Sequence, residues 1–249
     1  MQGGVTATQL VLDAGTGLAA LPDLLGDAPF TGRILLSHLH WDHMQGLPFC
    51  RSIDRPDAEV SLLVPVPSAD VDPVQLLARS FSPPNFPIGP EGLVGDWRFR
   101  ALLAGPIDET LSVAQVVHKG GVTFGVRVAL DGSTLAYLPD HALHRGTSAV
   151  DRRSAARLAA GADLLLHNGQ YLADEQGLAV AYGHAIIEEV LRFADECRVG
   201  AVALTHHAPM RTDDELDELA RRFAHTPGGR PVTFARQGVP IDVGTPAAG

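Results

Sequence analysis

The run His38-Leu39-His40-Trp41-Asp42-His43 places three imidazoles and one carboxylate within six residues. Residues 34–37, three of them apolar, come directly before it and predict a buried strand, so the cluster follows the C-terminal end of that strand. Imidazole nitrogens at about 2.0–2.1 Å and a carboxylate oxygen at a similar distance are what divalent zinc requires. Loop-capping histidines, or histidines that bind copper by accident of composition, are the alternative, and the spacing favours a metal centre.

Composition limits the partners of this centre. The chain has 249 residues, of which 45% are hydrophobic, and this suits one globular enzyme domain over residues 1–249. A formal charge of −10 opposes the binding of a polyanion, because nucleic-acid affinity depends on Lys and Arg. We therefore expect a small anionic substrate that a metal pair attracts, and no large nucleic acid.

The cysteine content and the hydropathy of the chain indicate the cellular compartment of the protein. Cys50 and Cys197 are too few for a disulfide framework or a cysteine-built zinc site, and we expect both in the core. The N-terminal residues lack a basic region followed by an apolar stretch, and no apolar run approaches about 18 residues. The sequence predicts a cytoplasmic protein without a membrane segment.

The first part of the chain must position the His38–His43 cluster. Apolar, β-prone runs predict three buried strands, over residues 9–13, 33–37 and 60–66. A Pro-rich stretch at 82–90 follows a short helical segment near 71–81. This pattern predicts an insertion or lid around residues 65–106.

The remaining residues alternate strands with helices. Strands are predicted over residues 111–117, 122–130, 134–138, 163–166 and 201–204, and helices over residues 148–160, 185–197 and from Thr212 onward. Asp131-Gly132 marks a hairpin, and Thr212-Asp-Asp-Glu215 is a capping box. Helical spacing of apolar residues in 185–197 predicts an amphipathic helix. Strands followed by helices, twice over, suit two sheets packed on each other with helices outside.

At this point the sequence resembles the metallo-β-lactamase fold superfamily, whose HxHxDH motif is matched by His38, His40, Asp42 and His43. Four further motifs follow in family order from about residue 3 to 225: a turn at 12–17, a third-histidine segment at 117–126, an aspartate strand at 137–140 and a closing strand at 203–207. The resemblance implies an α/β fold, a four-layer αββα sandwich of two mixed sheets with helices outside. Within the superfamily, the chain is most similar to the ribonuclease Z and phosphodiesterase branch.

The resemblance also implies a ligand set for two divalent ions, zinc in preference to manganese. One ion is bound by three histidines and the other by a carboxylate and two histidines, and one aspartate bridges them: His38, His40 and His118; Asp42, His43 and His206; and Asp140. The neighbouring His207 is the alternative closing ligand. His206 is preferred because it directly follows Leu204-Thr205, as the closing histidine does in the ribonuclease Z group.

Several other histidines lie near these motifs. His184 precedes the amphipathic helix, where its ring could donate a proton to a leaving-group oxygen, and the alternative is a histidine that only packs or caps. Asn168 stands where relatives often have an acidic residue, and we expect it to hydrogen-bond behind the metal shell rather than ligate. For His141 and His144 a place at the pocket rim and a place in an exposed loop are both open.

Hydrolysis by a metal-bound hydroxide is the mechanism that such a pair of ions supports. Asp42 would bind the second ion and accept a hydrogen bond from the hydroxide. The expected substrate is a small phosphodiester or cyclic nucleotide, and transfer RNA is less favoured. A carboxylic ester, lactone or thioester hydrolase is the second hypothesis, and a non-catalytic, metal-stabilised binding module is the third. The sequence leaves the oligomeric state, including a homodimer, open.

Overall fold

The computed structural model of the chain describes residues 9–143 and 149–244. In it the chain divides into two units, residues 1–103 and 104–249, and each unit contains one sheet with its helices. The prediction of an α/β fold with two sheets is confirmed. Among the described residues, no helix has the length and apolar character that a membrane crossing requires.

The first unit is built around a sheet with the strand order β1-β2-β3-β4. Its elements are strands β1 (Gln9–Leu12), β2 (Thr31–Leu35), β3 (Glu59–Pro65) and β4 (Asp96–Leu102), helices α1 (Leu21–Leu25), α2 (Trp41–Met44) and α3 (Pro73–Ala78), and 3₁₀ turns at Thr16–Ala20, Leu47–Phe49 and Pro90–Gly92. All neighbouring strands in this sheet are parallel. The sequence predicts that both sheets are mixed. The part of this sheet that the structure describes is parallel instead, because its strands are joined by crossovers through helical turns and not by hairpins.

Apolar side chains on one face of this sheet form the core of the first unit. Ile34, Leu62 and Phe99 are register partners on β2, β3 and β4 and therefore point to the same face. The helical segments cover this face with Leu18, Met44, Leu47 and Leu77. This packing holds the end of β2, where the histidine run begins.

The second unit contains a mixed sheet with the order β11-β10-β9-β8-β7-β6-β5. Its elements are strands β5 (Gly105–Pro106), β6 (Leu111–Gln115), β7 (Phe124–Leu130), β8 (Ser133–Leu138), β9 (Leu164–Asn168), β10 (Ala201–Thr205) and β11 (Val232–Phe234), helices α4 (Ala149–Ala159), α5 (Gln176–Tyr182), α6 (Ile187–Cys197) and α7 (Asp213–Arg222), and a 3₁₀ turn at Ala173–Glu175. Strands β5 to β8 pair antiparallel, and β8 to β11 pair parallel. The carboxyl ends of β8, β9 and β10 therefore meet at one edge.

The hairpin, the capping box and the amphipathic helix that the sequence predicts in the second unit are confirmed. Leu130 pairs with Ser133 across a turn in which Asp131 and Gly132 both have positive φ, as a type I′ hairpin requires. Thr212 and Glu215 exchange the two hydrogen bonds of a capping box at the start of α7. The apolar face of α6 is buried, as its spacing predicts.

Other features differ from the sequence prediction or extend it. The segment around residues 65–106, which was predicted to be an insertion or lid, contains strand β4. This strand alternates Trp97 and Phe99 with arginines and pairs with β3 along its full length. The edge strand β11 has only three residues and carries too short a pattern to be recognised. Both cysteines are buried, and burial raises the pKa of the Cys197 thiol to about 11.

Candidate metal centre

The histidine run of the first unit folds into a loop followed by the short helix α2. The His38 ring lies 4.4 Å from the His40 ring and 4.1 Å from the His43 ring, measured between centroids. Asp42 lies in the first turn of α2, and its carboxylate is 3.3 Å from Nε2 of His43. His38 and His43 are buried, whereas the Asp42 side chain is 56% exposed. The unit thus brings together the four predicted ligands that it carries.

Asp13, at the end of β1, holds the buried side of this loop. Its carboxylate accepts hydrogen bonds from the Ser37 amide (2.6 Å) and the Ser37 hydroxyl (2.8 Å). It also lies 2.7 Å from Nδ1 of His43. Because a carboxylate only accepts, Nδ1 of His43 carries a proton, and Nε2 is the nitrogen left for a metal.

Ser37 extends this arrangement to His38. Its hydroxyl donates to Asp13, so its oxygen, 3.0 Å from Nδ1 of His38, accepts a hydrogen bond from that nitrogen. Two ligand rings are therefore oriented by one aspartate and one serine. The resemblance predicts a turn at residues 12–17, but the contact of Asp13 with His43 has no signal in the sequence.

The turn after Asp13 packs directly against the ligand loop. The Ala14 amide donates to the His43 carbonyl (2.7 Å), and the Gly46 amide donates to the Ala14 carbonyl (2.8 Å). A Cβ atom on Gly15 would lie 2.2 Å from the Asp42 carbonyl oxygen. Glycine is therefore required at residue 15 because of close backbone approach, not because of its φ, which is −67°.

In the second unit, the predicted ligands converge on Asp140, which follows β8 and is 1% exposed. Nε2 of His118 lies 3.3 Å from Oδ2 of Asp140, and Nε2 of His206 lies 3.3 Å from Oδ1. One buried carboxylate thus presents each of its oxygens to a different imidazole. Carboxylate oxygens and imidazole nitrogens in this arrangement are donors of the kind that a divalent ion takes.

The chemistry of this donor set fits cations. Nδ1 of His118 is 2.8 Å from the Gly183 carbonyl, which only accepts, so Nδ1 carries a proton. When the ring carries no second proton, the lone pair of Nε2 faces a carboxylate oxygen. Two acceptors at this distance repel unless a cation lies with them, and nitrogen and oxygen donors suit zinc or manganese.

The structure separates His206 from His207. His206 follows β10 with a φ of +51°, an uncommon conformation for a residue with a side chain, and its ring is turned to Asp140. His207 instead stacks on Phe234 at 5.4 Å, and its Nε2 donates to the Ala235 carbonyl at 3.3 Å. Burial lowers the pKa of His207. Of the two alternatives, only His206 lies beside Asp140.

His184 lies close to both of these histidines. Its ring centroid is 4.9 Å from that of His118 and 4.9 Å from that of His206. Ligand atoms of Asp140, His184 and His206 lie within 4.8 Å of one another and could hold a metal ion. His184 is 7% exposed, and Nδ2 of Asn168 is 3.3 Å from its Nδ1. Asn168 thus contacts a histidine that is not one of the predicted ligands.

His141 differs from both interpretations of it. It is fully buried, neither at a rim nor in an exposed loop, and its Nδ1 is 3.0 Å from Nε2 of His167. The close pairing follows from β8 and β9 being parallel neighbours that end at the same edge. Burial lowers the pKa of His141 well below its ordinary value. His144 lies outside the described residues.

The comparisons with known proteins agree with this fold. A family model, the beta-lactamase superfamily domain, matches residues 8–207. The chain belongs to this superfamily. It is 43% identical over 53 residues to a ribonuclease Z from Exiguobacterium sp., a stretch that covers 21% of this chain and 18% of the relative. The chain thus matches only about a fifth of the length of its curated relatives.

Solved structures match over nearly the whole chain at low identity. The short form of human tRNase Z superimposes with a TM-score of 0.63 at 19% identity, covering 98% of this chain and 91% of that one. A diphosphatase of the PhnP family superimposes with a TM-score of 0.66 at 16% identity, covering 96% and 83%. At such identities the likeness shows the fold.

Proposed function

We propose that the protein is a metal-dependent hydrolase of small phosphodiesters. The observation that carries the proposal is the placement of Asp140, a buried carboxylate with Nε2 of His118 at one oxygen and Nε2 of His206 at the other, each at 3.3 Å. A carboxylate placed in this way suits a bridge between two cations. Two ions about 3.5–4 Å apart are typical of sites that clamp both oxygens of a phosphoryl displacement.

The ligand assignment follows the family pattern given above. By that pattern, His38, His40 and His118 would hold one divalent ion, Asp42, His43 and His206 would hold the other, and Asp140 would serve both. When bound, the ions supply a water of lowered pKa and positive charge for the phosphoryl oxygens. Oxygen partners at Nδ1 of His38, His43 and His118 support this assignment, because they leave Nε2 as the donor atom.

Two residues have roles beyond ligation in this proposal. Asp42 has an exposed carboxylate beside His43. With metal bound, this carboxylate would accept a hydrogen bond from the attacking water and orient it. His184 lies beside His118 and His206, within reach of a substrate that contacts Asp140 and its ions. It supports the leaving-group oxygen, where negative charge develops as the bond breaks.

Similarity supports phosphodiester chemistry, and the charge of the chain favours a short substrate. The ribonuclease Z relative is named for cleavage of a phosphodiester, and it is 43% identical to the matched segment. The net charge of −10 disfavours a long polyanion, since no excess of Lys and Arg offsets repulsion from phosphates. A cyclic nucleotide or another short diester meets both conditions.

A substrate panel tests the proposal. Zinc-loaded and manganese-loaded protein are assayed with bis-p-nitrophenyl phosphate, a cyclic nucleotide, a lactone, a thioester and a precursor transfer RNA. We expect hydrolysis of the first two and loss of that activity on chelation. Faster turnover of the lactone or thioester would show that the protein is instead a hydrolase of carboxylic esters, lactones or thioesters. No turnover of any member, with metal bound, would favour a binding module.

A further inference from the structure

A chain of buried polar contacts runs behind the second-unit ligands. His141, His167 and Asn168 have no exposed surface. Nδ1 of His141 meets Nε2 of His167 at 3.0 Å, and Nδ1 of His167 meets the Asn168 carbonyl at 2.9 Å. The Asn168 side chain accepts from the His141 amide at 3.2 Å and approaches Nδ1 of His184 at 3.3 Å.

Backbone groups determine the orientation of the Asn168 amide. The His141 backbone N–H can only donate, so the atom that it meets is the amide oxygen of Asn168. The amide nitrogen of Asn168 is then the atom that faces His184. A flipped amide would set its NH₂ group against the His141 N–H, and two buried donors would lose their acceptors.

The same reasoning shows why His141 stays in place. The Asn168 carbonyl accepts from Nδ1 of His167, which leaves a lone pair on Nε2 of that neutral ring for the proton of His141 Nδ1. Burial lowers the pKa of His167 to about 4, so the ring is neutral near pH 7. The ring of His141 is thereby anchored, and with it the backbone amide that orients Asn168.

The amide nitrogen of Asn168 can only donate, so Nδ1 of His184 must accept. We propose that Asn168 is a positioning residue that holds His184 as the tautomer with its proton on Nε2. His184 is then a hydrogen-bond donor to a substrate oxygen through Nε2–H, and that nitrogen is not a metal ligand. That His184 donates to a substrate oxygen rests on the proposed function. The position of the proton on the His184 ring does not.

The test is nuclear magnetic resonance of the imidazole nitrogens in zinc-loaded, isotope-labelled protein, with His184→Gln used to assign the signals. We expect Nε2 of His184 to be protonated and Nδ1 to be unprotonated. In Asn168→Asp the carboxylate still accepts from the His141 amide but no longer donates to His184. Nδ1 of His184 should therefore gain a proton in this variant.

Asn85→Asp is the matched control, because it makes the same substitution at an exposed residue of the first unit and should leave the His184 signals unchanged. A bare or metal-bound Nε2 in the wild-type protein would overturn the proposal, as would an unprotonated Nδ1 in Asn168→Asp. The measurement does not use turnover. Absence of phosphodiesterase activity would therefore count against the proposed function and leave the tautomer to be decided separately.

Discussion

A neutral histidine ring carries one proton, and in this protein oxygen acceptors decide which nitrogen holds it. Three predicted ligands donate a hydrogen bond from Nδ1 to an oxygen: His43 to Asp13, His38 to Ser37 and His118 to the Gly183 carbonyl. Asn168 has the opposite effect on His184, because its amide donates to Nδ1. Hydrogen-bond partners thus distinguish the proposed ligands from the proposed donor.

At this scale the sequence predicts ligand types and misses their supports. Six residues around His38 are recognisable because their spacing is local. Asp13 contacts Ser37 and His43, which are 24 and 30 positions away in the sequence, and no local sequence pattern predicts contacts over such distances. The choice of His206 over His207 likewise depends on which ring turns back from β10 toward Asp140, which spacing alone does not determine.

Replacement of His184 tests its role toward the leaving group. We expect His184→Ala to slow alkyl phosphodiesters by about 10²-fold, the usual loss when a donor to a developing oxyanion is removed. Nitrophenyl diesters should be nearly spared, because nitrophenolate departs without help. Steady-state kinetics on both substrates measure the effect.

The exposed His225 offers the control, and His225→Ala should change neither rate. Metal content of His184→Ala should equal that of the wild type. Equal slowing of both substrates, or loss of an ion, would make His184 a ligand or a structural cap.

At the scale of elements, two close backbone contacts position the ligands. The turn after β1 packs against α2 at Gly15. Gly183, the residue after α5, packs against the loop that carries His118, and a Cβ atom on it would lie 2.9 Å from the Lys119 amide nitrogen. Gly183 also has a φ of +78°, which favours glycine. Each contact is made with the backbone, and each holds a segment that carries proposed site residues.

Gly15 and Gly17 provide a matched pair for this claim. A Cβ on Gly15 would meet the Asp42 carbonyl at 2.2 Å, whereas a Cβ on Gly17 has no atom within 4 Å. We expect Gly15→Ala to lower the free energy of unfolding by roughly 1–3 kcal/mol and to weaken zinc binding. Gly17→Ala should change stability by less than about 1 kcal/mol.

Chemical denaturation and competitive zinc titration of both variants measure these effects. Equal behaviour of the two variants would show that the turn does not position the ligand loop.

Elements with strong local signals are the ones that the sequence predicts. The Asp131-Gly132 hairpin, the Thr212 capping box and the amphipathic α6 each depend on a few neighbouring residues. Strand β4 was missed because prolines before it dominated the pattern, and its identity as a strand depends on pairing with β3. The parallel direction of the first sheet is likewise a matter of long-range pairing.

At the scale of the whole molecule, buried neutral histidines make stability depend on pH. Burial lowers the pKa of His167 to about 4, against 6.5 for the ordinary group. The unfolded chain therefore binds a proton that the folded protein rejects between these pH values, and stability is lost as pH falls from 6.5 toward 4. The contribution of His167 is about 3 kcal/mol at most.

We expect His167→Gln to reduce the slope of unfolding free energy against pH in this window, measured by denaturant titration from pH 7 to pH 4. The exposed His225→Gln should keep the wild-type slope. A variant slope equal to that of the wild type would mean that His167 is protonated in the folded protein.

Metal dependence with a pair of ions is the central claim, and a zinc titration tests it most directly. Metal is first removed from the protein with a chelator. Zinc is then added stepwise while the amount bound and the hydrolysis of bis-p-nitrophenyl phosphate are measured together. We predict no activity in the chelated protein and a rise that reaches its plateau at about two equivalents of zinc per chain, as a two-metal site requires. A plateau at one equivalent, or hydrolysis without zinc, would contradict the account.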